Sequence, residues 1–259
     1  MTQGTHSLNR SVTIEASPET VFRFFTDDTR WAAWWGAGSS IEARPGGAVR
    51  IRYPNGVEAA GTVLEVAAPE RIVFSYGYLS GQPIGPGASR VTIRLERAGQ
   101  ATRLHLSHDF TEVAAQVRDE HVQGWRYQLS LFGNIVADEV NAGATTVVDA
   151  WFRAWGEPDA AAREGAFARI AAPELRFRDR YSLVDGLGDL LPHVAASQRF
   201  MPGIRLQRDG DVRHCQGIVL ADWTALGKDD KPRGRGTNVF VFGPDGRIVS
   251  ATGFWASPT

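Results

Sequence analysis

The residues of this chain whose types could do chemistry are few and scattered. Cys215 is its single cysteine. A cysteine nucleophile needs a base and an oxyanion hole beside it. His214 precedes Cys215 directly, but neighbours on an alternating strand point to opposite faces. Cys215 therefore reads as a buried, inert thiol. His214 and Asp222 share parity on what reads as one long strand, Val212 to Leu226. Eight extended residues separate them by roughly 26 Å, which excludes direct pairing. His193 stands alone. Gly234-Arg235-Gly236 reads as a hairpin arm, because no Gly-Lys-Ser/Thr follows to make it a phosphate loop. One cysteine also excludes an intrachain disulfide and a cysteine-paired zinc site, so no metal and no cofactor are expected.

Three other groupings are better candidates. His108 alternates with Leu104, Leu106 and Phe110 and so points toward an interior. A histidine on such a face serves either as a hydrogen-bonded core residue or as part of a cavity wall. Trp31, Trp34, Trp35, Tyr76, Tyr78 and Trp125 either line a pocket or fill it; aromatic rings with polar tips suit flat ligands. Asp179 shares a strand face with Leu175 and Phe177. An ion pair with Arg178, Arg180 or Arg235 is the plain structural reading of that carboxylate. Arg50 and Arg52 face away from Val49, Ile51 and Tyr53 and read as solvated charge.

The elements that must hold these residues fall into two halves. In the first, Val12 and Ile14 open a strand. Ser17 and Pro18 then cap and start a short helix bearing Val21, Phe22, Phe24 and Phe25, and Asp27-Asp28 start another carrying Trp31, Trp34 and Trp35. About six strands follow, among them Ile41–Arg44, Val57–Val66 and the alternating runs ending at Tyr78 and Phe110, divided by Gly/Pro turns. Val113, Val117, His121, Trp125, Leu129, Phe132, Val136 and Val140 recur at helical spacing, giving one apolar stripe about seven turns long. Such a helix must lie on the preceding sheet.

After a short linker at 141–144, the second half opens with helices at Val147–Trp155 and Ala160–Ile170, a strand through Phe177, and a helix at Leu187–Phe200. Strands at Ile204–Arg208, Val212–Leu226, Gly236–Phe242 and Arg247–Trp255 complete it, with Asp209-Gly210-Asp211 and Pro244-Asp245-Gly246 as hairpin turns. The fold class is thus α+β throughout, with two domains, 1–142 and 145–259, each large enough to bury a core.

Composition narrows the partners. Net charge is −1 among 259 residues and neither half is basic, which argues against nucleic acid and anionic membrane surfaces. No run of 18 apolar residues suggests a membrane span. Met1 to Asn9 has no apolar h-region, so no signal peptide is expected and the cytoplasm is the expected location.

Ala16-Ser17-Pro18-Glu19-Thr20-Val21-Phe22, Gly61 to Val66, Pro69 to Phe74 and Gly124-Trp125 resemble the START-like (SRPBCC) superfamily, in the branch named for the activator of the heat-shock ATPase. The resemblance implies a helix-grip domain with a hydrophobic cavity between sheet and long helix. Val148-Asp149-Ala150-Trp151, Phe177-Arg178-Asp179 and Asp245-Gly246-Arg247-Ile248 with Gly253-Phe254-Trp255 resemble the SnoaL-like, cone-shaped nuclear-transport-factor fold. Both resemblances imply curved antiparallel sheets. Carried over from the ketosteroid isomerases of the second fold, the base falls on Asp179, the helix tyrosine on Trp151 and the second acid on Asn238. Trp151 and Asn238 can donate a hydrogen bond to a carbonyl but neither can act as an acid.

The expectation is a binder of small apolar molecules, non-catalytic or weakly catalytic, with one cavity per domain. Trp31, Trp34, Tyr76, Tyr78, His108, Trp125, Trp151 and Asn238 are its expected wall. A cyclase, isomerase or hydrolase using Asp179 is the alternative, and a chaperone-associated interaction protein is a third. Folds of the second type often pair through the open sheet face, which makes a homodimer through that domain an expectation.

Overall fold

The computed structural model describes residues 6–110 and 115–256. The chain forms two compact units, Met1–Ala137 and Asp138–Thr259. The α+β class is as the sequence indicated, with two open sheets.

In the first unit, β1 (His6–Ile14) leads to α1 (Pro18–Arg23) and α2 (Asp28–Trp35). Ser17 Oγ accepts the Thr20 amide N–H at 3.3 Å and Asp27 Oδ1 accepts that of Arg30 at 2.9 Å, so both helices start on side-chain caps. Six strands follow: β2 (Ser40–Ile41), β3 (Ala48–Arg52), β4 (Glu58–Ala67), β5 (Arg71–Tyr78), β6 (Ser89–Ala98) and β7 (Ala101–Phe110). They pair in the order β1-β7-β6-β5-β4-β3-β2, antiparallel at every step. β2 is shorter than the strand expected at Ile41–Arg44, because the Arg44–Gly47 turn begins at once.

The long helix α3 (Ala115–Val140) buries His121, Trp125, Leu129, Phe132 and Val136 of the expected stripe, with Val117 and Val140 half-buried. Val113 lies outside the described residues. Phe132 meets Phe24, Phe25 and Trp34 at ring-centroid distances of 5.8, 5.1 and 5.0 Å, so α3, α1 and α2 share one aromatic core.

The second unit runs α4 (Ala144–Gly156), α5 (Ala160–Ile170), β8 (Ala171–Arg178), β9 (Leu183–Asp185), α6 (Leu187–Phe200), β10 (Arg205–Cys215), β11 (Ile218–Leu226), β12 (Pro232–Phe242) and β13 (Ile248–Trp255). Its sheet order is β10-β11-β12-β13-β8-β9. All pairs are antiparallel except β13 with β8, which is parallel. A parallel neighbour needs a crossover, and everything from β9 to β12 supplies it. The short β9, pairing with β8, has no counterpart in the sequence reading.

Two expectations are corrected here. Asp209-Gly210-Asp211 is not a turn: β10 runs through it, with a register break between Asp209 and Arg213 and Gly210 at φ +66°. That is a bulge, where glycine takes the left-handed backbone. The turn lies at Gln216-Gly217, where both residues have positive φ, 49° and 80°, as tight hairpins require. Gln is an uncommon choice at such a position, which is why the sequence does not advertise it. Cys215 borders this turn and is exposed, not buried. His214 and Asp222 consequently lie on adjacent strands; Asp222 bonds Arg213 and Thr237, while His214 Nε2 accepts the Gly217 amide N–H at 3.0 Å.

Among the described residues, no helix is long and apolar enough to cross a membrane.

Candidate functional site

A pocket of ≈ 420 Å³ opens in the first unit between α2, the α3 surface and the β5–β7 face. β5 brings Tyr76 and Tyr78 to it, β7 brings His108, and the end of α2 brings Trp34 and Trp35. One helical turn on α3 separates His121 from Trp125, so both reach the same wall. The loop after β5 also borders the pocket through Pro83. That loop lies close on its strand: the Tyr78 amide donates to Ile84 O at 2.8 Å, and a Cβ at Gly77 would sit 1.7 Å from Gly85 O.

A buried hydrogen-bond chain fixes the protonation of the wall. The Ser89 hydroxyl donates to Tyr76 O at 2.9 Å, which spends its only proton. His108 Nε2, 2.8 Å from Ser89 Oγ, must therefore be the donor in that contact. On the other side of the ring, the Trp125 indole N–H donates to His108 Nδ1 at 3.0 Å. His108 is thus the neutral Nε2–H tautomer, with both nitrogens occupied. Burial pulls its pKa down to about 3, with the nearby His121 adding to the effect. It stiffens the wall and holds Trp125; it has no free nitrogen with which to take a proton.

The Tyr53 and Tyr76 hydroxyls lie 2.9 Å apart. Burial raises both pKa values well above the usual phenol range, so both stay neutral. Two hydroxyls sharing one hydrogen bond leave one proton over.

Two buried nitrogens of the wall have no hydrogen-bond partner among the described residues, Trp35 Nε1 and His121 Nε2. Trp35 is 3% and His121 8% exposed. His121 Nδ1 lies 2.8 Å from Val117 O, and a carbonyl only accepts, so Nδ1 carries the proton. In the neutral ring, Nε2 is then an acceptor.

Of the first-unit residues singled out from sequence, Trp34, Trp35, Tyr76, Tyr78, His108 and Trp125 border the pocket. Trp31 does not: it is fully buried and its indole N–H donates to Arg50 O at 3.1 Å. Tyr53, Gln128 and His121 are wall residues that sequence reasoning did not select. His121 had a signal, as a polar residue in an otherwise apolar stripe.

The second unit carries a smaller pocket of ≈ 270 Å³, bordered by Trp155, Phe177, Asp179, His193, Asn238 and Trp255, among others. Asp179 stands just past the end of β8. Its Oδ1 accepts the Tyr181 amide at 2.8 Å and its Oδ2 the Trp255 indole N–H at 3.2 Å. Neither Arg178, Arg180 nor Arg235 forms an ion pair with it among the described residues, contrary to the plain reading of its sequence neighbourhood. Asn238 spends its carbonyl oxygen on the Trp223 indole at 2.8 Å. Gly253, facing Asn238 across the β12–β13 ladder, leaves the space between these two side chains: a Cβ there would meet Asn238 Oδ1 and Asp179 Cβ, each at 3.2 Å.

Trp151 does not border this pocket. It is fully buried among Phe167, Phe177 and Phe240, with ring centroids at 5.3, 5.9 and 5.7 Å. One turn further along α4, Trp155 takes the wall position, and its Nε1 is buried without a partner among the described residues. His193 Nε2 lies 3.0 Å from Ser182 Oγ. Among the described residues, no three His, Cys, Asp or Glu side chains come together as metal ligands.

No curated protein matches the chain in sequence. Solved structures similar to it include a putative isomerase of the SnoaL-like family from Agrobacterium tumefaciens, 22% identical, covering 44% of this chain and 97% of its own at TM-score 0.42. CalU16 from Micromonospora echinospora is 27% identical, covering 54% of this chain and 82% of its own at TM-score 0.43. The Aha1 dimer from Colwellia psychrerythraea is 18% identical, covering 49% and 92% at TM-score 0.41. Residues 15–137, which hold all the described wall residues of the first pocket, match the family described as Activator of Hsp90 ATPase homolog 1-like protein.

Proposed function

We propose that the chain binds small, mainly apolar molecules, with the pocket of the first unit as the principal site. The observation that carries this reading is the pocket's wall, built largely from indole, phenol and imidazole rings, of which the buried Tyr53, Tyr76 and His108 are neutral. Burying a charged ligand there would cost several kcal/mol without a countercharge, whereas apolar surface gains about 25 cal/mol per Å² buried. A volume of ≈ 420 Å³ falls within the range of small-molecule sites.

Titration with the neutral dye N-phenyl-1-naphthylamine tests it. Saturable, one-site fluorescence enhancement is expected in the wild type and a marked loss in Gly124→Trp. Gly124 borders the pocket and a Cβ there meets nothing within 4 Å. Absence of saturable binding would remove the proposal.

A second reading is favoured by one observation in the other unit. Asp179 is a carboxylate without an ion-pair partner among the described residues, set in the aromatic wall of that unit's pocket. A carboxylate at a cavity wall is the base needed to move a proton next to a carbonyl. On this reading, Asp179→Asn abolishes proton exchange at the α-carbon of cyclic ketones, followed by NMR in deuterium oxide, while the melting temperature changes little. Equal exchange with and without Asp179 would dismiss it.

A further inference from the structure

The second unit's pocket is apolar within, and part of its apolar wall stands in water. Phe177, Trp223 and Ala225 are buried, while Tyr181 is 72% and Phe200 86% exposed, and Met201 is exposed as well. These exposed side chains form the mouth. Tyr181 follows β8, whereas Phe200 and Met201 stand at the end of α6. Large apolar side chains grouped around a pocket in water mark a surface that something covers. Cations gather at the same place, although neither half of the chain is basic overall. The Arg180 guanidinium lies over the Tyr181 ring, 5.7 Å from its centroid. The Lys228 stem lies against Gly203, two residues past Met201; a Cβ there would sit 2.4 Å from Lys228 Cε. Arg199 precedes Phe200 on α6, and Arg233 borders the pocket. Arg233 is paired with Asp229 at 2.8 Å and Arg205 with Asp230, so these charges cancel. Arg180, Arg199 and Lys228 have no carboxylate at ion-pair distance among the described residues. Asp179 is the one carboxylate among the wall residues. The mouth therefore carries an excess of positive charge beside exposed apolar surface.

We infer that this pocket takes an anionic amphiphile, with its alkyl chain among Trp155, Phe177, Trp223 and Met201 and its headgroup beside Arg180 and Lys228. The inference extends the binding reading to the second unit, and its failure would leave the first pocket untouched. A chain seated in the mouth covers Tyr181, Phe200 and Met201 and removes their apolar surface from water. Arg180 and Lys228 are exposed, so they meet a headgroup without giving up their own hydration. A neutral headgroup gains only from the chain, and a cationic one is repelled. A free alkyl sulfate or carboxylate and an anionic bilayer lipid present the same chemistry.

Calorimetry of the full chain with octyl sulfate, below micelle formation, tests the inference. The neutral first pocket offers an anion no countercharge, so octyl sulfate reads the second. Saturable binding is expected. Octanol, with the same chain and no charge, is expected to displace it only at about fivefold higher concentration at low ionic strength, and salt is expected to narrow the difference. Arg180→Glu combined with Lys228→Glu should weaken octyl sulfate by at least that factor, and Phe200→Ser should weaken it as well. All three positions are exposed, so the core stays intact. No saturable binding of octyl sulfate would overturn the inference, as would equal potency of octanol or an affinity unchanged in both variants. Sedimentation with phosphatidylglycerol vesicles but not with phosphatidylcholine vesicles, lost in Phe200→Ser, would identify a bilayer as the source. A chain that binds octyl sulfate and stays in the supernatant takes its amphiphile from solution; either result supports the same chemistry.

Discussion

Trp125 on α3 donates its indole N–H to Nδ1 of His108 on β7 at 3.0 Å, tying the long helix to the sheet through a buried polar contact. Because Ser89 occupies the opposite nitrogen, the imidazole is locked in orientation, tautomer and charge.

The charge lock makes the first unit sensitive to acid. The folded-state pKa of His108, about 3, lies below its ordinary value of 6.5. Folding thus excludes a proton that the unfolded chain accepts. The resulting stability is complete above about pH 6.5 and is lost as pH falls from there toward 3, by several kcal/mol across the window. Urea-unfolding midpoints are expected to drop between pH 6.5 and 5, above most carboxylate titration. His108→Gln, which can still accept from Trp125 and donate to Ser89, is expected to flatten that slope. An unchanged slope in the variant would assign the acid sensitivity elsewhere.

Trp125→Phe keeps an aromatic ring against α2 and the sheet but strands His108 Nδ1. The expected cost is about 1–3 kcal/mol, the penalty of a buried acceptor left unmade, read from urea denaturation. A loss below a few tenths would mean that this contact holds the wall only nominally.

Gly124 lies within α3, its absent side chain opposite open space. Gly124→Ala should raise stability by about 0.5–1 kcal/mol through helix propensity alone. Larger residues at the same place should lower dye affinity without lowering stability. Thermal melts and dye titration on the same samples separate the two effects.

In the second unit, Gly253→Ala forces a methyl toward Asn238 Oδ1 and Asp179 Cβ. Overpacking of this kind costs about 1–3 kcal/mol. Displacement of Asp179 should also loosen its bond from Trp255, which a shift in tryptophan emission would report. A variant as stable as the wild type, with unchanged emission, would show that the gap tolerates a methyl group.

How much of this could be read without coordinates depends on whether the information is local. Strand alternation through Tyr76 and His108, the caps at Ser17 and Asp27 and the apolar stripe of α3 are local rules. Each follows from side-chain period and backbone hydrogen bonding within a few residues, and the α+β class follows with them. The Gln216-Gly217 turn escaped because two left-handed residues beginning with Gln carry little local signal, while Asp209-Gly210-Asp211 looks like a turn and is a bulge.

The amino-acid order by itself therefore settled which faces are apolar and in what sequence helices and strands arise. Tertiary packing alone decided which rings border space and which fill it. Trp31 and Trp35, one helical turn apart, differ in this way, as do Trp151 and Trp155. Periodicity assigns a side chain to the interior, but only neighbours distant in the chain determine whether its nitrogen finds a partner: Trp31 finds Arg50 O, whereas Trp35 finds none among the described residues. The same distance in sequence explains His108, whose charge state is set by Ser89 and Trp125 from two other elements.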